Sequence, residues 1–138
     1  MEKTTNARKL AEILSHNLSY NDTAKKVFHR RARAVCRDIA EALKLTKDNY
    51  EIRSNLGGIA VSGEVTLHGD AIYIQFSQGA ISREFGDIMY RRVANRKDYT
   101  GGKNHWMRVE RLVEDFDSAI EDFQDVMING SPEFKFLF

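Results

Sequence analysis

The sequence predicts an α+β fold: an antiparallel sheet of about four strands packed on helices, with a helical N-terminal segment and a long C-terminal helix. Three observations predict it. Apolar residues recur at helical spacing within residues 1–46 and again within 107–128. Between them, across 49–94, the apolar period drops to two. Turn residues then punctuate that middle stretch. The 138 residues read as a single domain, 1–138, long enough for an ordinary hydrophobic core.

Each element follows from its own pattern. Leu10, Ile13, Leu14 and Leu18 fit a short amphipathic helix over about 5–18. Ser19-Tyr20-Asn21-Asp22 interrupts it, and Asn21 or Asp22 can cap a second, longer helix. That helix carries Ala24, Val27, Phe28, Val35, Ile39, Ala42 and Leu43 on one face. Tyr50 to Arg53 alternates as a strand. Beyond Gly57-Gly58, the run Ile59, Val61, Val65, Leu67 alternates, Gly69-Asp70 turns, and Ile72, Ile74, Phe76 alternate again, which predicts a hairpin. Residues 87–93, DIMYRRV, alternate as a fourth strand, with a helix as the alternative, and place Arg91 and Arg92 on opposite faces. Val109, Leu112, Val113, Phe116, Ile120, Phe123 and Met127 repeat at helical spacing up to Asn129-Gly130, a natural helix stop. The only proline, Pro132, and the tail EFKFLF follow.

Composition narrows the class. An apolar fraction of 42% with 30% charged residues suits a globular domain. No apolar run approaches the roughly 20 residues of a membrane span, and MEKTTNARKL is no signal-peptide core. The expectation is a cytoplasmic protein without a membrane partner. The single cysteine, Cys36, argues against a disulfide framework and a cysteine-rich zinc site. Eleven cations face six acids in residues 1–50, whereas four face eight in 100–138. A basic front and an acidic back favour self-association, hence a homo-oligomer, or an anionic partner on one face.

The densest chemistry lies in RKDYTGGKNHW, Arg96 to Trp106. Gly101-Gly102 lets the backbone turn and approach a ligand. Arg96, Lys97 and Lys103 bring charge. Tyr99, His105 and Trp106 bring flat surfaces, and Asn104 can pair with a base edge or a ribose hydroxyl. Together they suit a nucleotide. Neither a Walker A loop nor a GxGxxG fingerprint is present, so no standard cofactor is implied. The plainer reading is a surface loop with Trp106 packed on the following helix. One of Arg91 and Arg92 in the preceding strand, and Arg108 or Arg111 near the start of the last helix, can add to the same site, with Arg92 the one favoured. Gln75, Phe76 and Ser77, at the end of the strand before, can lie nearby if the two strands pair, or serve only sheet packing.

Other clusters weigh less. Lys26, Arg30, Arg33 and Arg37 form a basic helix stripe, which reads either as a phosphate-contacting face for nucleic acid or as a solvated face. His16, His29, His68 and His105 show no metal spacing. Glu114, Asp115, Asp117, Glu121, Asp122 and Asp125 read as an exposed helix face rather than a metal site. No catalytic constellation assembles, so the expectation is a binding protein and not an enzyme.

GGIAVSGEVTLHGDAIYIQFSQ followed by IMYRRVANRKDYTGGKNHW resembles a group of small phage proteins, the phage Thoeris anti-defence family. The resemblance covers residues 57–128. It implies a protein that binds and sequesters a cyclic nucleotide signal, of the cyclic ADP-ribose type, without cleaving it. On that resemblance Arg96 and Lys97 would neutralise the pyrophosphate, Tyr99 or Trp106 would stack on the base, and Asn104 would hydrogen-bond base or ribose. Gly101, Gly102 and His105 complete the expected wall, with Arg92 and Arg111 secondary. The alternative is a nucleic-acid- or protein-binding inhibitor acting through the basic stripe.

Overall fold

The computed structural model describes residues 2–79, 85–99 and 101–130. Pro132 and the EFKFLF tail lie outside the described residues. Two helices come first, α1 (Glu2–Leu14) and α2 (Asp22–Ala42). A single 3-10 turn, Lys47–Asn49, leads into strands β1 (Tyr50–Asn55), β2 (Glu64–Gly69), β3 (Ile72–Ser77), β4 (Ile88–Arg92) and β5 (His105–Met107). Helices α3 (Val109–Glu114) and α4 (Phe116–Asn129) close the described chain. The strands form one antiparallel meander in the order β1-β2-β3-β4-β5.

The α+β architecture is as the sequence predicts, with differences in its details. First, the sheet has five described strands rather than about four. The fifth is only three residues long and was hidden in the loop, since too few residues alternate to give a period. Second, Ile59 and Val61 do not belong to a strand; β2 begins at Glu64, and both side chains are largely exposed on the loop before it. Third, the C-terminal helix expected over 107–128 begins at Val109 and is broken at Asp115. There the Asp115 carboxylate accepts from the Ser118 amide at 3.1 Å and caps α4. Asn21 caps α2 in the same way, accepting from Ala24 at 3.1 Å, and α1 ends at Leu14 rather than 18.

All the helices cover one face. α2 lies over β1 and β2, α4 lies over β3 and β4, and α1 packs between α2 and α3. Val65, Leu67, Ile72, Ile74, Phe76, Ile88, Tyr90 and Met107 point from the sheet into this layer, against Leu10, Phe28, Val35, Ile39, Leu112 and Phe123. Tyr90 meets the Phe123 ring edge-on at a centroid distance of 5.0 Å. Because strand side chains alternate, every intervening residue is sent to the opposite, helix-free face. That alternation sets up the site.

Candidate functional site

The outward residues fall into rows across the sheet. The antiparallel register aligns Glu51, His68, Tyr73 and Arg91 in one row. It aligns Arg53, Thr66, Gln75, Met89 and Trp106 in the next. These are polar and aromatic side chains, yet Thr66, His68 and Arg91 are buried, Arg91 at 6% exposure. Something must roof them, and it is the loop between β4 and β5.

That loop arches away from β4 and returns to it. Arg96 Nε pairs with the Asp70 carboxylate at 3.0 Å, in the β2–β3 turn, and its guanidinium also donates to the Asp48 carbonyl ahead of β1. Tyr99 reaches further, its hydroxyl lying 3.5 Å from Arg53 Nη1 on β1. The chain then comes back over the sheet to β5. Asp98 holds the bend, accepting from the Ala94 amide at 3.0 Å and the Gly101 amide at 2.7 Å. Gly102 sits at φ +84°, with the Arg92 carbonyl where a Cβ would be, so only glycine fits.

Beneath the arch is a cavity of about 470 Å³. Its floor is His68, Tyr73, Gln75, Met89 and Arg91; its roof is Tyr99, Gly102 and Asn104. Arg91 joins the two. Its Nη2 donates to the Asp98 carbonyl at 2.8 Å and its Nη1 to the Gly101 carbonyl, while the guanidinium lies 4.9 Å from the Tyr73 ring centre. None of these hydrogen-bond acceptors is a carboxylate, so the positive charge is held in place but not neutralised by them. A guanidinium has five N–H donors, which leaves some to face a ligand.

The remaining floor is a hydrogen-bonded set. Tyr73 donates its hydroxyl to Gln75 Oε1 at 2.7 Å, and burial pushes that phenol's pKa up. His68 Nε2 shares a hydrogen bond with Thr66 Oγ1 at 2.8 Å and meets the Tyr73 ring edge-on. Burial, then the Arg53 charge, holds the His68 imidazole below its ordinary pKa, with Arg91 adding to the same effect against the pull of Glu51. That shift favours the neutral imidazole. Arg53 itself is paired with Glu51 at 3.0 Å.

The structure sorts the sequence candidates. Tyr99, Gly102 and Asn104 line the cavity. Gly101 shapes the bend above it. Arg96 anchors the arch from outside, and Lys97 is exposed. Trp106 is on the cavity's face of the sheet, one strand beyond Met89. His105 points the other way, buried against Tyr90 and bonded to the Gly130 carbonyl at 2.9 Å. Arg92 also lies on the helix side, near the end of α4. Arg111 is committed within the helices, paired with Asp122 and donating to Ser118 Oγ at 2.7 Å. Of the floor residues, the sequence offered Arg91, as one of two arginines on opposite faces of a strand, and Gln75, near the end of the strand before it; His68 and Tyr73 it did not single out. Their signal was present in two neighbouring strands, where Thr66-x-His68 and Tyr73-x-Gln75 repeat at period two on the non-core face.

The basic stripe on α2 is not one free surface. Lys26 pairs with Asp22 at 3.2 Å, and Arg33 donates to Ser54 Oγ at 3.1 Å on β1, while Arg30 and Arg37 stay exposed. Among the described residues, no group of His, Cys, Asp and Glu side chains could hold a metal ion, and no helix is long and apolar enough to cross a membrane.

No family model, curated protein or solved structure matches this chain. What the site can do follows from its own atoms. A preformed cavity with a fixed guanidinium, aromatic walls and two side-chain amides can hold a small anionic ligand with a hydrogen-bonding ring.

Proposed function

We propose that this protein binds and sequesters a small nucleotide under the β4–β5 arch and releases it chemically unchanged. The observation that carries the reading is Arg91: a buried guanidinium fixed by two carbonyls at the floor of a cavity. A buried cation is costly unless something offsets it, and a phosphate does so while using the donors left over. The cavity volume falls within the usual range for small-molecule sites. Asn104 and Gln75 offer amides to the hydrogen-bonding groups of the part of the nucleotide held in the cavity.

Retention rather than turnover is supported by the lining. Among the described residues that line it there is no carboxylate, and the imidazole there, His68, is bonded to Thr66. General acid–base catalysis needs a proton donor and acceptor on either side of the reacting atom. The resemblance of the RKDYTGG loop to phage anti-defence proteins gives this chemistry a setting, the capture of a cyclic nucleotide immune signal in the host cytoplasm. A homo-oligomer belongs to the same proposal, from the split of charge along the chain, and light scattering tests it.

The test is calorimetry against cyclic and linear nucleotides, with Arg91→Ala as control, followed by heat release and chromatography of the ligand. Binding lost in the variant and an intact released ligand are expected. Recovery of a hydrolysed product overturns sequestration in favour of an enzyme.

A further inference from the structure

Resting on the nucleotide reading above, we infer that the base lies outside the cavity, on an aromatic shelf made by Trp106 and Phe85. The ligand is then a phosphorylated nucleoside whose phosphate meets Arg91 and whose ribose crosses Met89.

The shelf is continuous with the cavity. Met89 lines the cavity and is the direct cross-strand partner of Trp106. Trp106 is half-buried on the edge strand β5, and the Phe85 ring lies 5.9 Å away, tilted by 38°. Phe85 is 53% exposed, an open position for a large apolar ring beside a polar cavity. Two neighbouring rings next to a thioether residue offer an apolar surface of the kind a base stacks on.

The other rings near the cavity are placed differently. Tyr73 has the Arg91 guanidinium over its ring and His68 packed against it at a steep angle. The Tyr99 ring is 59% exposed, but its hydroxyl contacts Arg53 on β1, across the sheet from β5. Trp106 is the ring on the β5 side of the anion site.

Spacing selects the ligand class. Arg91 and Trp106 are diagonal neighbours on one face of an antiparallel pair, which puts their Cα atoms about 7–8 Å apart. The guanidinium leans toward Tyr73 on β3, away from β5. A ligand touching both it and the indole must therefore cross Met89, and a sugar joining phosphate to base is the group that does so. A free base reaches only the shelf, and a sugar phosphate reaches only Arg91.

Trp106 is the only tryptophan in the sequence, so its fluorescence reports the shelf directly. The probes are adenosine 5′-monophosphate, ADP-ribose, cyclic ADP-ribose and ribose 5-phosphate, each followed by calorimetry and by fluorescence. A nucleotide should quench Trp106 with the dissociation constant that calorimetry gives. Trp106→Leu should weaken it by about tenfold or more, Phe85→Ala should weaken it less, and Trp106→Phe should keep most of the affinity. Ribose 5-phosphate affinity should be the same in all variants. A nucleotide that binds with no fluorescence change and equal affinity for Trp106→Leu and Phe85→Ala overturns the shelf and leaves the nucleotide site standing. Absence of binding by every nucleotide at millimolar concentration overturns both.

Discussion

The guanidinium of Arg91 donates to the main-chain carbonyl of Asp98 at 2.8 Å, tying the floor of the sheet to the loop that roofs it. A second donation to Gly101 makes the tie bidentate. One side chain thereby sets both the charge of the cavity and the height of its roof. Arg91→Ala should cost about 2–4 kcal/mol in urea unfolding, from two buried charge-assisted hydrogen bonds, and abolish ligand binding. Arg91→Lys keeps the charge but cannot bridge both carbonyls. It should fold and bind at least tenfold more weakly. Unchanged affinity in the lysine variant would show that charge alone matters and that the roof is positioned by something else.

Gly102 turns the arch back toward β5 with φ +84°. An alanine there meets both a left-handed backbone and the Arg92 carbonyl, so Gly102→Ala should lose about 1–3 kcal/mol. Gly58 is the control, with open space where a Cβ would go. Gly58→Ala should leave the melting temperature within error. Equal melting temperatures for the two variants would contradict the crowding at Gly102.

Two buried histidines give the fold a pH slope. Burial holds His29 below its ordinary pKa, against a 2.9 Å hydrogen bond to the Ser62 carbonyl and with Lys25 adding to the depression. His68 is depressed by burial and Arg53. Below the ordinary histidine value near 6.5 and above their folded values, both bind fewer protons folded than unfolded. Stability should therefore be level above about pH 7 and fall as the pH is lowered through that window. Asp87, whose carboxyl burial raises, gives a slope of the opposite sign, but in the carboxylate range further down. Urea midpoints at stepped pH test this, and His29→Gln and His68→Gln should each flatten the slope.

Cys36 is fully buried in α2, and burial pushes its thiol pKa up to about 12. A thiol of that kind gives almost no thiolate at neutral pH. Ellman-type reagents should leave the folded protein unlabelled and titrate one thiol after unfolding. Rapid labelling of the native protein would mean that α2 opens locally.

Much of this architecture is legible in the chain because it is written in local period. Asn21 before α2, the alternation from Ile72 to Phe76 and the Asn129-Gly130 stop are each settled by neighbours a few residues away. The break at Asp115 and the three-residue strand at His105 were not legible. The apolar repeat runs on through the first, and the second is defined only by its pairing with β4.

The site divides along the same line. The sequence by itself determined that a glycine-hinged loop rich in cations and rings follows β4, and that Arg91 and Arg92 face opposite ways. Only the tertiary structure decided which arginine faces the cavity, that Arg96 is an anchor bonded to Asp70, and that His105 turns into the core. It also brought His68 and Tyr73 to the floor, residues distant from the loop in sequence. Side-chain direction within a strand is a local property. What lies above a strand depends on where a loop some twenty residues later crosses back over the sheet, and that is set by long-range contacts such as Arg96 with Asp70 and Tyr99 with Arg53.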